Sequence, residues 1–227
     1  MTEHPTPSER ARVVIEMWAD LGCPWCYVGK HRLRAAIAKR PDASRFEIVM
    51  RSFELDPAAP REPEKNETSF IRSHGGIVED VLRAERQMQA LARTEGLKYS
   101  LDRMNANTFD VHRVVQYAGD HGRGFEFFSA VQDGFFGGTL DPHDPDALAG
   151  IAESAGLDGR RVREILANDE YADRVRADRD EGIELGLTGV PFVVVGRQVA
   201  APGAQKVAGY AHLLDRVAGH ATSERVS

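Results

Sequence analysis

At 227 residues the chain is long enough to bury a sizeable core without cross-links, either as one large domain or as a domain carrying an insertion. Hydrophobic residues make up 42% and charged residues 28%, ordinary values for a soluble globular protein. A net charge of −6 and a pI near 5.8 exclude a surface built to attract nucleic acid or an anionic membrane, and no apolar run is long enough to span a bilayer.

The first twelve residues, MTEHPTPSERAR, are polar and lack the apolar core of a signal peptide, so a cytoplasmic protein is expected. In a reducing compartment paired cysteines are more often catalytic or metal-bound than structural. RVVIEMWAD (12–20) is β-branched and mostly apolar, interrupted by Glu16, and reads as a strand buried on both faces. CPWCYVGKHRLRAAIAKR (23–40) then has helical spacing, with Val28, Leu33, Ala36 and Ile37 as an apolar stripe. Cys23 falls at its N-cap and Pro24 at the first helical position; Lys39 and Arg40 close the last turn and Pro41 ends it. RFEIVMRSFEL (45–55) is a second strand, completing a strand–helix–strand unit with parallel strands and a right-handed crossover.

REPEKNETS (61–69) reads as a polar linker. Helical signals follow near 77–95, 107–120, 124–136, 145–155, 159–167 and 169–185, and no strand signal returns before residue 192. Asp144 as N-cap, Pro145 next and Gly156 past the end delimit one of these helices, while Phe127, Phe128, Val131 and Phe135 form the apolar face of another. PFVVVG (191–196) and QVAA (198–201) flank a turn at Gly196-Arg197 and read as a hairpin, closed by a helix from Gly203 to about Val217. The order is β-α-β, a helical block, then β-β-α. This is an α/β chain with the arrangement of a thioredoxin fold, residues 12–63 and 187–219, interrupted by a large all-helical insertion at 64–186.

LGCPWCYVG (21–29) holds both cysteines of the chain. A structural zinc site needs four ligands, and the eight histidines include no pair at H-x₃₋₅-H spacing to complete one, so no metal is expected. A structural staple is a weak reading, because closing so small a loop removes little unfolded-state entropy. A redox pair has a mechanism. The sulfur of an N-cap Cys23 sits where the free N–H groups and the positive end of the helix dipole converge, which favours a nucleophilic thiolate. Cys26, one turn in, is placed to attack a mixed disulfide on Cys23.

CPWCYVGKHRL, NTFDVHR and GLTGVPFVVVGRQVAAPGAQ resemble the FrnE-like branch of the DsbA family of thiol–disulfide oxidoreductases, in the family's order and over nearly the whole chain from about Val13. The resemblance implies a thioredoxin fold with an inserted helical domain, Cys23 as nucleophile and Cys26 as resolving cysteine. It also implies a cis Val190–Pro191 bond beside the cysteines, with the Val190 backbone free to pair with an extended substrate; an X–Pro bond taken alone is far more often trans. Pro24 and Trp25 complete the active-site turn. Substrates would be protein or small-molecule disulfides and thiols, with no cofactor beyond the redox-active disulfide and glutathione admitted as a co-substrate. The family commonly reads Ser-Gly-Ala-Gln where this chain has Pro202-Gly203-Ala204-Gln205, and its periplasmic members carry histidine in place of Trp25.

Asn107, Thr108 and His112 match a motif of this branch in the helical domain facing the cysteines, which implies a substrate pocket. They read equally well as a helix cap and a partly exposed helix residue. Asp20 and Glu16 are candidates to relay the Cys26 proton, with a raised pKa expected for a buried acid. Trp18 and Trp25 both qualify for a substrate groove, Trp18 equally for the core. The competing function is a glutathione-dependent isomerase or transferase like the 2-hydroxychromene-2-carboxylate isomerases and kappa-class glutathione transferases, which share the fold but typically have serine at the Cys23 position.

Overall fold

A computed structural model describes residues 12–223; the N-terminal segment behind the expectation of a cytoplasmic protein lies outside them. The chain runs β1 (Val13–Ala19), α1 (Pro24–Ala38), a short 3₁₀ turn, β2 (Phe46–Ser52), β3 (Glu64–Lys65), α2 (Asn66–His74) and α3 (Val78–Thr94). Then come β4 (Met104–Asn105), α4 (Phe109–Asp120), α5 (Gly124–Gly137), α6 (Pro145–Ser154), α7 (Gly159–Leu166) and α8 (Ala172–Glu184). It closes with β5 (Phe192–Val195), β6 (Val199–Pro202) and α9 (Val207–Ser223). Among the described residues no helix is long and apolar enough to cross a membrane.

The main sheet has the order β2-β1-β5-β6. β1 pairs in parallel with β2, Ile15 opposite Ile48 and Met17 opposite Met50, and antiparallel with β5, Met17 opposite Val193. The β1–α1–β2 crossover and the β5–β6 hairpin are therefore joined through β1, as the strand and turn signals required. Alternation sorts β1 between two cores. Ile15 and Met17 enter the larger one with Val28, Leu33, Tyr210 and Leu214, while Trp18 packs with Leu187, Phe192 and Val194. The larger core continues without a break into Phe127, Val131, Leu148 and Val162 of the inserted segment.

α8 is drawn tightly onto the sheet. Gly182 lies so close to Trp18 that a Cβ there would sit 2.8 Å from the indole nitrogen, and that nitrogen donates to the Asp178 carbonyl at 2.6 Å. The Asp178 carboxylate accepts from Ser52 N at 2.8 Å and Arg51 Nη1 at 2.9 Å, tying helix to strand.

Four expectations need correction. The polar stretch 61–69 is not all linker: α2 begins at Asn66, and because it buries none of its side chains it has no apolar periodicity to announce it. The insertion is not purely helical, since β3 and β4 form a two-residue ladder with Glu64 opposite Asn105. The helix expected over 169–185 starts at Ala172, after Tyr171 in a left-handed conformation with φ 65°. The last helix starts at Val207, because Gly203, at φ +71°, turns the chain so that its N–H donates to the Pro191 carbonyl at 2.8 Å.

Candidate active site

α1 begins at the cysteines. Cys23 is its N-cap, with extended backbone, and its sulfur accepts the Cys26 N–H at 3.3 Å; Pro24 occupies the first helical position. The other face of the site comes from the loop that leads into β5. The Val190–Pro191 bond is cis, and the Cys23 thiol lies 3.7 Å from the Val190 carbonyl to which it donates. Both cysteines are free thiols, Cys23 at 4% exposure and Cys26 at 0%. Burial pushes the Cys26 thiol well above its ordinary range, and the hydrogen bond and charge of Cys23 reinforce the shift. The pair is asymmetric: one sulfur at the mouth, one sealed behind it.

The approach of α1 to the proline loop depends on Gly29. A Cβ there would stand 3.1 Å from Pro191 Cγ and 3.3 Å from both Ala204 Cβ and Tyr210 Oη. Gly29→Val is therefore expected to cost about 1–3 kcal/mol in urea unfolding. It should also lower disulfide turnover by moving the loop from Cys23, with Gly29→Ala milder on both counts; a valine variant with native stability and turnover would show that the close approach is dispensable.

Asp20, three residues before the N-cap Cys23, is buried. Its carboxylate accepts from the Leu55 N–H at 2.7 Å and the Thr108 hydroxyl at 2.8 Å, and lies 3.3 Å from His112 Nε2. Burial raises its pKa, but the hydrogen bond and charge of His112, the Leu55 N–H and the Thr108 hydroxyl outweigh it and hold the acid below its ordinary value. The raised pKa expected from burial alone is thus reversed by partners from the inserted segment. Glu16 is no rival for the relay: it is buried against the guanidiniums of Arg51 and Arg197. Trp18 belongs to the core and is wholly buried.

A cavity of about 470 Å³ opens over Cys23 between the active-site turn, α2 and α3. Trp25, 48% exposed, and Val190 line it together with Cys23 and Pro24. Of the three motif residues in the insertion, Thr108 lines the cavity, whereas Asn107 and His112 stand behind it. Asn107 Oδ1 accepts the Phe109 N–H at 3.0 Å while its amide donates to the Pro57 carbonyl at 3.2 Å, which makes it a turn-former that also anchors the loop after β2. His112 is not partly exposed but buried, stacked near Phe128 and aimed at Asp20.

Three contributors escaped the sequence reading. Gln132 of α5 donates to the Asp20 and Leu21 carbonyls at 3.2 and 3.1 Å, fixing the loop before Cys23. Glu54 lies next to Asn107, its carboxyl raised by burial. Lys30, one turn beyond Cys26, is buried and donates to the Ser129 carbonyl at 3.2 Å and Asp133 at 2.8 Å. Only Lys30 left a signal: with Cys26, Leu33 and Ile37 it falls at i, i+4, i+7 and i+11 on the inward face. No group of three or more metal-ligating side chains is assembled among the described residues.

Comparison with known proteins agrees with this geometry. The uncharacterized protein YwbO of Bacillus subtilis (strain 168) is 27% identical over 196 residues, 85% of this chain and 90% of its own. The crystal structure of a probable DsbA oxidoreductase from Streptomyces coelicolor superimposes with a TM-score of 0.84 at 37% identity, over 95% of this chain and 92% of that one. A 2-hydroxychromene-2-carboxylate isomerase shares the fold, with a TM-score of 0.70 at 16% identity over 94% of this chain and all of that one. The model of the DSBA-like thioredoxin domain matches residues 14–215, from β1 through the cysteines, the helical insertion and the cis-proline hairpin into α9. On that match, which takes in every element that builds the site, the chain belongs to the DSBA-like thioredoxin domain family.

Proposed function

We propose that the protein is a dithiol–disulfide oxidoreductase in which Cys23 attacks and Cys26 resolves, acting on protein or small-molecule disulfides. The observation that carries this reading is the placement of the two sulfurs, Cys23 at a helix N-cap beside the Val190 carbonyl and Cys26 one turn in and sealed. The Cys23 thiolate bonds to one sulfur of the substrate disulfide and the other substrate sulfur leaves as a thiolate. Cys26 gives up its proton and attacks Cys23 Sγ, which expels the second thiol and closes the Cys23–Cys26 disulfide. Two electrons pass to the substrate; run backwards, the same steps oxidise a dithiol, and stopping at the mixed disulfide permits isomerisation. The ionised Asp20 carboxylate raises the Cys26 pKa by its charge, so it can serve this step only as the base that takes up the released proton.

The fold shared with the isomerase and the cavity over Cys23 favour the alternative of a glutathione-dependent isomerase, but that chemistry has no use for a second thiol. Equilibration in dithiothreitol and glutathione redox buffers, with alkylation to count free thiols, separates the two. The expected result is one two-electron transition in which both thiols disappear together, at a midpoint between roughly −270 and −120 mV, the span of thioredoxin-like oxidoreductases. A pair that remains reduced throughout that span overturns the redox reading.

A further inference from the structure

The cavity over Cys23 has a chemistry of its own, and what it selects rests on the redox reading above. Among the described residues no lysine or arginine lines it. Two of its acids are neutralised from behind: Asp56 is paired with Arg72 at 2.8 Å and Glu85 with Arg103 at 2.7 Å, and neither arginine reaches the lining. Asp20, beside the cysteines, is held in its ionised form by His112, Thr108 and the Leu55 N–H against the pull of burial. His143, also in the wall, is shifted by burial toward its neutral form. An incoming carboxylate would lose water here without meeting a lysine or arginine, beside an Asp20 carboxylate that already holds His112 as its partner.

The opposite wall is α2. Asn66, Ser69, Phe70, Ser73 and His74 line the cavity and fall at i, i+3, i+4, i+7 and i+8, one stripe of the helix. Since α2 buries nothing, core packing does not account for that stripe. It offers neutral hydrogen-bonding groups and a stacked ring pair, Phe70 on His74 at 4.5 Å between centroids. Leu55, Met88 and Phe135 add apolar wall, and the volume of about 470 Å³ suits a ligand of small-molecule size.

We infer that this cavity admits an uncharged low-molecular-weight thiol or its disulfide, one whose other polar groups are hydroxyls and amides, and turns away carboxylate-bearing thiols such as glutathione. Hydroxyl and amide donors can satisfy the arginine-backed oxygens of Asp56 and Glu85, and Asn66, Ser69 and Asn105 offer matching neutral partners. The reaction uses two thiols. The first thiolate bonds to Cys23 Sγ and breaks the Cys23–Cys26 bond, and Cys26 takes up a proton. The second attacks the ligand sulfur of the mixed disulfide, releasing the ligand's own disulfide and the Cys23 thiolate. Two electrons thus move from two thiols to the protein.

The test measures how fast the oxidised protein is reduced by a matched pair, N-acetylcysteine and its uncharged amide, alongside glutathione and 1-thioglucose. Each rate is divided by that thiol's rate with 2-hydroxyethyl disulfide, which removes intrinsic nucleophilicity. The amide and thioglucose are expected to lead their carboxylate counterparts by about tenfold or more, and Ser69→Arg with Ser73→Arg should raise the glutathione rate and narrow the gap. Glutathione or N-acetylcysteine matching the neutral thiols would overturn this inference alone. A Cys23–Cys26 disulfide that dithiothreitol itself fails to reduce would instead overturn the redox reading beneath it.

Discussion

Cys23→Ser is expected to lower turnover of a disulfide substrate by about three orders of magnitude or more, because the hydroxyl that replaces the thiol cannot form the mixed disulfide. Cys26→Ser should fail differently. Its first step remains, with the sulfur of Cys23 still at the helix start and 3.7 Å from the Val190 carbonyl. With no second thiol to release it, the substrate should stay bonded to Cys23, visible as an added mass that dithiothreitol removes. Insulin reduction by turbidity and intact-mass measurement after exposure to a model disulfide read the two outcomes. Adducts on Cys26 in the Cys23→Ser protein, with turnover surviving in Cys26→Ser, would reverse the assigned roles. The burial of Cys26, at 0% exposure, is the reason to expect Cys23 to attack first and Cys26 to follow.

The second large effect concerns Lys30 and stability in alkali. Burial lowers its pKa from 10.5 to about 8, only partly countered by the charge and hydrogen bond of Asp133. The folded protein therefore gives up this proton near pH 8, while the unfolded chain keeps it to about 10.5. The unfolded state binds more protons in that window, so Lys30 makes stability rise with pH between about 8 and 10.5. The full interval corresponds to about 3 kcal/mol. Cys26 acts in the opposite direction, since its raised pKa makes the unfolded chain release a proton first as pH rises. The difference between wild type and Lys30→Met isolates the lysine. Methionine should equal or exceed the wild type in urea melts at pH 7, since Asp133 is half-exposed and keeps His31 at 3.0 Å. That advantage should shrink by up to the stated amount as pH approaches 10.5. Parallel curves for the two proteins across this window would show that the buried ammonium carries no such penalty.

Those elements whose sequence pattern and packing coincide were legible from residues alone. β1 is apolar because both of its faces are covered, and α1 opens on Cys23-Pro24 because an N-cap and a proline at the first helical position suit the same turn. The hairpin around Gly196-Arg197 was equally plain, both residues having positive φ. α2 was not, because its inward stripe faces a cavity rather than a core and so is polar. The behaviour of Asp20 was out of reach for another reason. Its partners, Leu55, Thr108 and His112, lie 35, 88 and 92 residues away, and nothing local says that they converge on one carboxylate. His112 itself looked like an ordinary helix residue until α4 was laid against the loop before Cys23. Glu16 in β1 and Asp20 just past its end fall at the same place in the alternation, and only their partners, arginines for the first, distinguish them.

The unbroken core that joins β1 and α1 to α5, α6 and α7 has a consequence for how the molecule comes apart. In sequence the helical segment is an insertion, yet its aromatic side chains complete the burial of the residues that precede it. Excising it would strip one covering from the sheet and leave Phe127, Phe128 and Val131 without their neighbours, so neither fragment would inherit a finished interior. Synthesis must proceed past α8 before the final hairpin can dock beside β1, and until then the first strand waits with an open edge. The hairpin beside the catalytic turn is thus the last part of the main sheet to be supplied.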